Sequence, residues 1–387
     1  MRILQLHNRY RYVSGENRMF DATVDLLRRR GHEVCVYERS SGDIQGSWGR
    51  ICALRQGAYS RAAKLAFASL LAEARPELVH VHNLFPLISP SVLEACREAG
   101  VPVVLRCPNY RLECPTGAHI RRGRVCERCR GGREYWCALT NCRGNVLESA
   151  AFAARGYSTR RRGIFAHNVT RYVPPSEFVR RRLTASGIPE GRVRVVPNTV
   201  GIPQVPADPA KGEYALYVGR LGSEKGIEVL LDAAAIAGVP VRIAGDGPLA
   251  GLLAKKVPSN VTHMGRLVGK ALDALFRGAR MILVPSICQE AFGLAAAEGM
   301  AYGLPAVASS AGGLPEVVDD EVTGLLVRPG DAEDLAGAMR ELWSAPKRCA
   351  QMGANGRAKA RQEYSEDVYY NRLMALYADA MTVEERT

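Results

Sequence analysis

Glu290-Ala-Phe-Gly-Leu-Ala-Ala-Ala-Glu298 is the stretch on which the reading of this 387-residue chain turns. It follows an apolar run, Met281-Ile-Leu-Val-Pro285, that reads as a buried strand. The loop Ser286–Ala291 then leads into an alanine-rich segment whose composition predicts a helix over Phe292–Tyr302. The start of that helix offers unpaired backbone N–H groups and a positive dipole end, which suit a phosphate. Gly293 has no side chain, so a ligand can approach the backbone closely there. Glu298, two turns in, can accept both hydroxyls of a sugar ring with its two oxygens. Glu290, still on the loop, faces whatever lies beyond the phosphates. The layout suits a sugar nucleotide.

Outward from this stretch, short apolar runs alternate with helical patterns, which predicts an α/β chain of parallel sheets with crossover helices. Strands are expected in the first half at Arg2–His7, Glu33–Tyr37, Leu78–His82, Pro102–Arg106, Thr170–Val173 and Val193–Val196. Apolar residues at helical spacing mark Asn17–Arg30, Tyr59–Ala74 and Pro90–Glu98. Gly201 to Glu213 has no periodicity and reads as a linker. A second set of strands follows, at Tyr214–Val218, Val241–Ala244, Val261–Met264, Met281–Val284 and Ala306–Ser309, and Ser365–Ala380 reads as a helix.

Composition fits an ordinary globular protein, with 47% hydrophobic and 24% charged residues. No apolar run approaches the roughly 18–20 residues that span a bilayer. Met1-Arg-Ile-Leu-Gln-Leu reads as a first strand rather than a signal peptide, so a cytoplasmic location is expected, with peripheral contact to a membrane open. The charge is lopsided. Residues 1–205 hold 33 Lys+Arg against 16 Asp+Glu, or +17; the remainder of the 52 and 39 is 19 against 23, or −4. Solvated helix faces, an anionic membrane surface and an anionic acceptor are all compatible with that excess.

Two cations, Arg220 and Lys225, follow the strand Tyr214–Val218, where α/β ligands bind. Ser14-Gly15 lies in the loop after the first strand, in the turn that starts at Tyr10; the Gly-x-Gly-x-x-Gly signature is absent from that loop, which argues against a nicotinamide or flavin enzyme. A Gly- and Arg-rich insert at about residues 107–145 holds Cys114, Cys126, Cys129, Cys137 and Cys142. It has little apolar content, so something other than a core must order it. A Cys-x-x-Cys knuckle with two further thiolates fits a tetrahedral structural zinc; an iron–sulfur cluster and unliganded thiols are the alternatives.

Further motifs complete the pattern: Val218-Gly-Arg-Leu-Gly-Ser-Glu-Lys-Gly226, Ile243-Ala-Gly-Asp-Gly-Pro248, Gly303-Leu-Pro-Ala-Val-Ala, Gly312-Gly-Leu-Pro-Glu316 and Thr323-Gly-Leu-Leu-Val-Arg-Pro-Gly-Asp331. With them the chain resembles family 4 of the retaining glycosyltransferases, in the subset carrying a cysteine-rich insert. That resemblance implies the GT-B fold, two Rossmann-like domains facing across a cleft. It places an acceptor-binding domain at residues 1–200 plus 365–387, a linker at 201–213 and a nucleotide-sugar domain at 214–364. It also implies roles. Arg220 and Lys225 would neutralise the diphosphate in place of a metal, and Glu298 would hold the ribose. Glu290 would hold the sugar hydroxyls, and Phe292, Gly293 and Leu294 would offer backbone N–H groups. Gly15 would face the donor phosphate. The insert cysteines of such relatives match Cys114, Cys126, Cys129 and Cys142, with Cys137 as an alternate. The match departs at Cys107-Pro-Asn-Tyr-Arg111, where Pro108 takes the position of a His near the reacting sugar. Proline cannot donate a hydrogen bond or carry a proton, which leaves His82, Asn109 or Arg111 on the acceptor side.

The expected activity is retaining, metal-independent transfer of a sugar from a UDP- or GDP-linked donor. The acceptor would be a hydroxyl of a glycan, a natural product or an anionic or lipid-linked molecule, and no nucleic-acid partner is expected. The alternative is an inactive relative that binds a glycan or a protein.

Overall fold

The computed structural model describes residues 1–11, 14–44, 46, 49, 57–253 and 257–382, so Tyr12 and Val13 of the first turn lie outside the described residues. The chain divides into two compact units. The first comprises Met1–His119, Cys126–Val196 and Tyr370–Thr387; the second comprises Ile120–Val125 and Pro197–Tyr369.

In the first unit, β1 (Arg2–Arg9), β2 (Glu33–Ser40), β3 (Leu78–Asn83) and β4 (Val103–Arg106) come in chain order. After the short hairpin β5 (Ile120–Arg121) and β6 (Arg124–Val125), β7 (Arg171–Val173) completes a parallel sheet ordered β2-β1-β3-β4-β7. Succession runs one way from β1 and the other way from β3, so the carboxyl ends of β1 and β3 flank a crevice where open α/β sheets bind ligands. Helix Gly15–Arg29 begins at that crevice. Ser14 caps it, its hydroxyl accepting from the Asn17 N–H at 3.1 Å.

Ile3, Leu4, Leu6, Leu78, Val79 and Val81 fill the core of this sheet, but Gln5, His7, His80 and His82 are buried in it as well. Part of this polar group is satisfied by the helix Glu366–Thr382. The Tyr377 hydroxyl lies 2.7 Å from His80 Nδ1 and accepts from Gln5 Nε2 at 3.4 Å. Asp379 accepts both a 2.7 Å and a 2.9 Å hydrogen bond from the buried Arg171 on β7. A planar guanidinium against a carboxylate gives this bidentate geometry its strength.

The strand expected at Val193–Val196 does not form. Val193 makes a single bridge to Tyr172, and the Arg194 and Val196 N–H groups donate to the Tyr172 and Pro174 carbonyls. The neighbouring chain continues as Pro174-Pro175, which has no N–H to return, so the ladder stops.

The second unit is a six-stranded parallel sheet: β8 (Tyr214–Val218), β9 (Val241–Ala244), β10 (Val261–His263), β11 (Ala279–Val284), β12 (Ala306–Ser309) and β13 (Gly324–Val327). Its order is β10-β9-β8-β11-β12-β13, reversing between β8 and β11. Apolar clusters cover both faces, as a buried parallel sheet requires. The segment expected as a linker is fastened to this unit. The Ala207 N–H donates to Tyr302 O at 2.8 Å, and Pro209–Lys211 forms a 3₁₀ turn.

Arg171 and its hydrogen bonds hold the Asp379 carboxyl below the usual range. A depressed carboxyl contributes stability above its unfolded pKa and loses it as pH falls through the folded value. Asp379→Asn should therefore cost about 1–3 kcal/mol at neutral pH, read as a drop of several degrees in Tm. The gap to the parent protein should persist down to the ordinary aspartate pKa of about 3.9 and narrow only as pH falls below it. A pH-independent difference would show that the pair does not carry the effect.

Candidate active site

Two loops meet at the switch point of the second unit. The loop after β8 carries Arg220 and Lys225, and the loop after β11 carries Ser286 and Glu290. Lys225 Nζ donates to Glu290 Oε1 at 2.5 Å, and Ser286 Oγ donates to the same oxygen at 2.5 Å. Burial alone would raise the Glu290 carboxyl. The Lys225 charge and the two hydrogen bonds outweigh it, so the carboxyl sits below its ordinary range and Lys225 above its own. Arg220 Nη1 donates to Glu224 Oε1 at 3.0 Å. Both cations on this loop thus face carboxylates.

Glycines set how closely these loops approach. A Cβ on Gly226 (φ +72°) would stand 1.9 Å from the Pro285 carbonyl oxygen, and one on Gly245 would stand 1.8 Å from Gly219 O. Gly312 (φ +67°) bridges to Glu290, and its Cβ would stand 2.1 Å from Glu290 O. The neighbouring Gly313 N–H donates to that same oxygen at 2.7 Å. The Gly312-Gly313 turn therefore grips the backbone of Glu290. The helix expected from Phe292 begins two residues later, as Leu294–Tyr302, because Gly293 is its cap at φ +106°. Phe292 is buried in the core, stacked edge-on against Tyr364, while Leu294 and Glu298 are half-buried on the helix.

The first unit presents its own crevice, a cavity of about 40 Å³ lined by His82, Asn83, Arg106, Pro108, Asn109 and Arg111, among others. Asn109 Nδ2 donates to Glu16 Oε1 at 2.9 Å, beside Gly15 at the start of its helix. Arg111 donates to Asn83 Oδ1 and to the Tyr10 hydroxyl, each at 2.7 Å, and that hydroxyl donates to Glu16 Oε2 at 2.9 Å. His82 is 4% exposed; its Nε2 lies 2.8 Å from Gln5 Oε1, and its Nδ1 has no hydrogen-bond partner. Burial, then the charges of His80, Arg106 and His7, push its pKa well down, so the ring is neutral.

Residues 14–199 match the glycosyl transferase 4-like domain, and residues 202–359 match the glycosyl transferases group 1 family. The two matches lie one after the other along the chain, the first in the N-terminal half and the second in the C-terminal half. It is 31% identical over 170 residues to the O-antigen chain mannosyltransferase C of Escherichia coli, a match covering 42% of this chain and 46% of that protein. The chain thus aligns with about half the length of the curated relatives it matches. Among solved structures it is similar to sucrose-phosphate synthase from Thermosynechococcus elongatus, with a TM-score of 0.72 at 20% identity over 98% of this chain and 99% of that one. It is also similar to Anabaena HepE in complex with UDP, with a TM-score of 0.70 at 16% identity over 98% and 100%. These likenesses establish the GT-B class of fold.

In this chain the five insert cysteines are neighbours. Cys129 and Cys137 are buried with Ala153, against Trp136, Cys142 and Phe152. Burial first, then Cys114, Cys142 and Cys126, push the Cys129 thiol up to about 12. Burial, then Cys142 and Cys129, do the same to Cys137. Cys137 is thus a full member of the group. The expected ligand geometry is nevertheless not assembled: among the described residues no three His, Cys, Asp or Glu side chains stand close enough together to hold a metal ion. The insert is anchored instead by Glu113, whose Oε2 accepts from the Arg182 guanidinium at 3.1 Å and lies 3.1 Å from His119 Nε2.

Sequence reasoning missed Ser286, Glu224, Glu16, Tyr10 and Arg182. For Ser286 and Glu224 the signal was present in the quoted loops; for Arg182 there was none.

Gly312→Ala should destabilise the second unit by at least about 2 kcal/mol, from a left-handed backbone plus a clash. Gly238→Ala has a similar φ of +68° but open space around its Cβ, and should cost only about 1 kcal/mol. Denaturant unfolding compares them; equal losses would mean that the grip on Glu290 adds nothing.

Proposed function

We propose that the chain is a retaining glycosyltransferase that moves a sugar from a nucleotide diphosphate sugar to an acceptor hydroxyl. The observation that carries this reading is the Lys225–Glu290 pair at the switch point of the second unit, beside the Gly293-capped helix start. In this reading Arg220, Lys225 and the N–H groups at Phe292–Leu294 stabilise the departing diphosphate, so that fixed cations do the work a metal could do. Glu298 binds the ribose, and Glu290, already held by Lys225 and Ser286, receives the sugar hydroxyls. The acceptor hydroxyl attacks from the face that the diphosphate leaves, and a phosphate oxygen takes its proton, which retains the anomeric configuration. UDP and GDP are the favoured carriers; HepE was solved with UDP. Gly15 faces the donor phosphate, and the acceptor belongs to the crevice of His82, Asn109 and Arg111. There the Asn109–Glu16 and Arg111–Tyr10 contacts give the loop after β4 a positioning role that Pro108 cannot supply through its own side chain.

A thermal-shift series with UDP, GDP, ADP, TDP and CDP tests the reading. One nucleotide at about 100 times its Kd should stabilise by roughly 2.7 kcal/mol, a few degrees. The shift should largely vanish in Glu298→Ala. A folded protein that answers to none of them leaves the inactive, binding-protein reading in its place.

We also propose a structural zinc on Cys114, Cys126, Cys129 and Cys142, with Cys137 as an alternate ligand. The donor set supports it. Burial and the neighbouring cysteines push up the thiols of Cys129 and Cys137, and a cation that replaces their protons relieves them. Such a site would order the insert and supply no step of the transfer. Elemental analysis of the purified chain should find about one zinc per molecule, and a chelator should lower Tm. Metal-free protein with all five thiols titratable would rule the site out.

A further inference from the structure

The helix Val146–Arg161, which follows the cysteine-rich insert, is inside out. Its buried residues are Ser149, Ala153, Arg155 and Thr159, three of them polar or charged. Its exposed residues include Leu147, Ala150, Ala154, Tyr157 and Arg161, spaced three and four apart, which places them on one stripe. Leu147 is 81% exposed and Tyr157 52%. Leu139, 71% exposed, ends the preceding helix Tyr135–Leu139, which packs against this one, and Val146 adds to the same end at 64%. A solvated helix of 16 residues, about 24 Å long, normally turns such a face inward. A concentrated apolar surface of this kind marks a contact site.

The inner side explains the inversion. Arg155 is sandwiched between Phe85 and Phe152, its guanidinium carbon 4.2 Å and 4.4 Å from their ring centroids, and donates to Pro115 O at 2.9 Å. Asn145 caps the helix, its side chain accepting from the Glu148 N–H. The polar side is thus committed to the body of the first unit, and the apolar side is left outward.

The charge around the stripe says what covers it. Residues 126–162 contain eight Arg and three Glu, a net +5. Six of those arginines are exposed, Arg128, Arg133, Arg143, Arg160, Arg161 and Arg162, whereas Glu127 and Glu148 are half-buried and Glu134 is buried. Arginine guanidiniums beside exposed aliphatic and tyrosine side chains match the layering of an anionic lipid surface, with phosphates outside and acyl chains beneath. Among the described residues no helix is long and apolar enough to cross a membrane.

We infer that the outward stripe of this helix, with Leu139 and the Arg160–Arg162 end, docks the first unit on an anionic lipid surface. This location does not depend on the transfer reading or on the zinc.

The test is vesicle flotation of the full chain, with phosphatidylcholine vesicles alone and with phosphatidylglycerol added. The protein should float only with the anionic vesicles, and less so in roughly 0.5 M salt, where charge attraction is screened within a few ångströms. The double variant Leu139→Ser/Leu147→Ser should lose binding about tenfold or more while keeping the parent's Tm, because both side chains are exposed. Arg161→Ser/Arg162→Ser should weaken binding and flatten its salt dependence. Absence of binding, equal binding to neutral vesicles, or full binding by the Leu variant would overturn the inference. So would a concentration-dependent dimer that the Leu variant abolishes, since a second copy would then be the occupant.

Discussion

The contact of Lys225 with Glu290 ties two loops that leave adjacent strands of the second sheet in opposite senses of the strand order. The contact depends on a backbone constraint. The loops can come this close only because Gly226 faces the Pro285 carbonyl and Gly312 faces that of Glu290 with no Cβ between. The ion pair is half-buried, so its two charges are screened less than surface charges and each holds the other ionised. A site arranged in this way has its cation already placed and already compensated. An incoming anion would exchange one partner of Lys225 for another instead of introducing a charge where none stood.

The first unit solves a different problem. Its sheet buries polar side chains that water cannot reach, and such groups are costly unless partnered. The C-terminal helix meets part of that need with Tyr377 at His80 and Asp379 at Arg171. At the open end, the segment after β4 uses Asn109 and Arg111 to fix Glu16 and Tyr10, so the loop after β1 is held by side chains well separated in sequence. Pro108 lines the cavity and contributes shape, while its neighbours contribute the hydrogen bonds.

The segment between β4 and β7, the insert with the helix that follows it, is held by different forces from either sheet. Its small apolar cluster is built around thiols, and its attachment is ionic, through Glu113, Glu127 and Arg182. Its longest helix turns polar residues inward to meet that ionic and aromatic framework. That leaves on the outside the aliphatic side chains that a sheet-forming unit would have buried.

Much of the architecture was legible in the sequence because buried parallel strands are continuous apolar runs with glycine-rich ends. Tyr214–Val218, Val241–Ala244 and Ala306–Ser309 form as the sequence predicts, to the residue. Gly324–Val327 was legible only as part of a motif, since four apolar residues alone do not distinguish a strand from a turn. Val193–Val196 looked like a strand and lost its partner to two prolines. The helix Val146–Arg161 was missed because alanine, arginine and hydroxyl residues are mixed around it, so its apolar residues give only a weak period. The sequence by itself determined two parallel α/β sheets, the loops that carry Arg220, Lys225 and Glu290, and the glycines that let those loops touch. Only the tertiary structure decided that Lys225 meets a carboxylate 65 residues away, that Tyr377 reaches His80 across 297 residues, and that five thiols gather without converging on a metal geometry. Local spacing sets which face a side chain takes; strand order and crossovers, which bring distant faces together, are settled only when the sheets assemble.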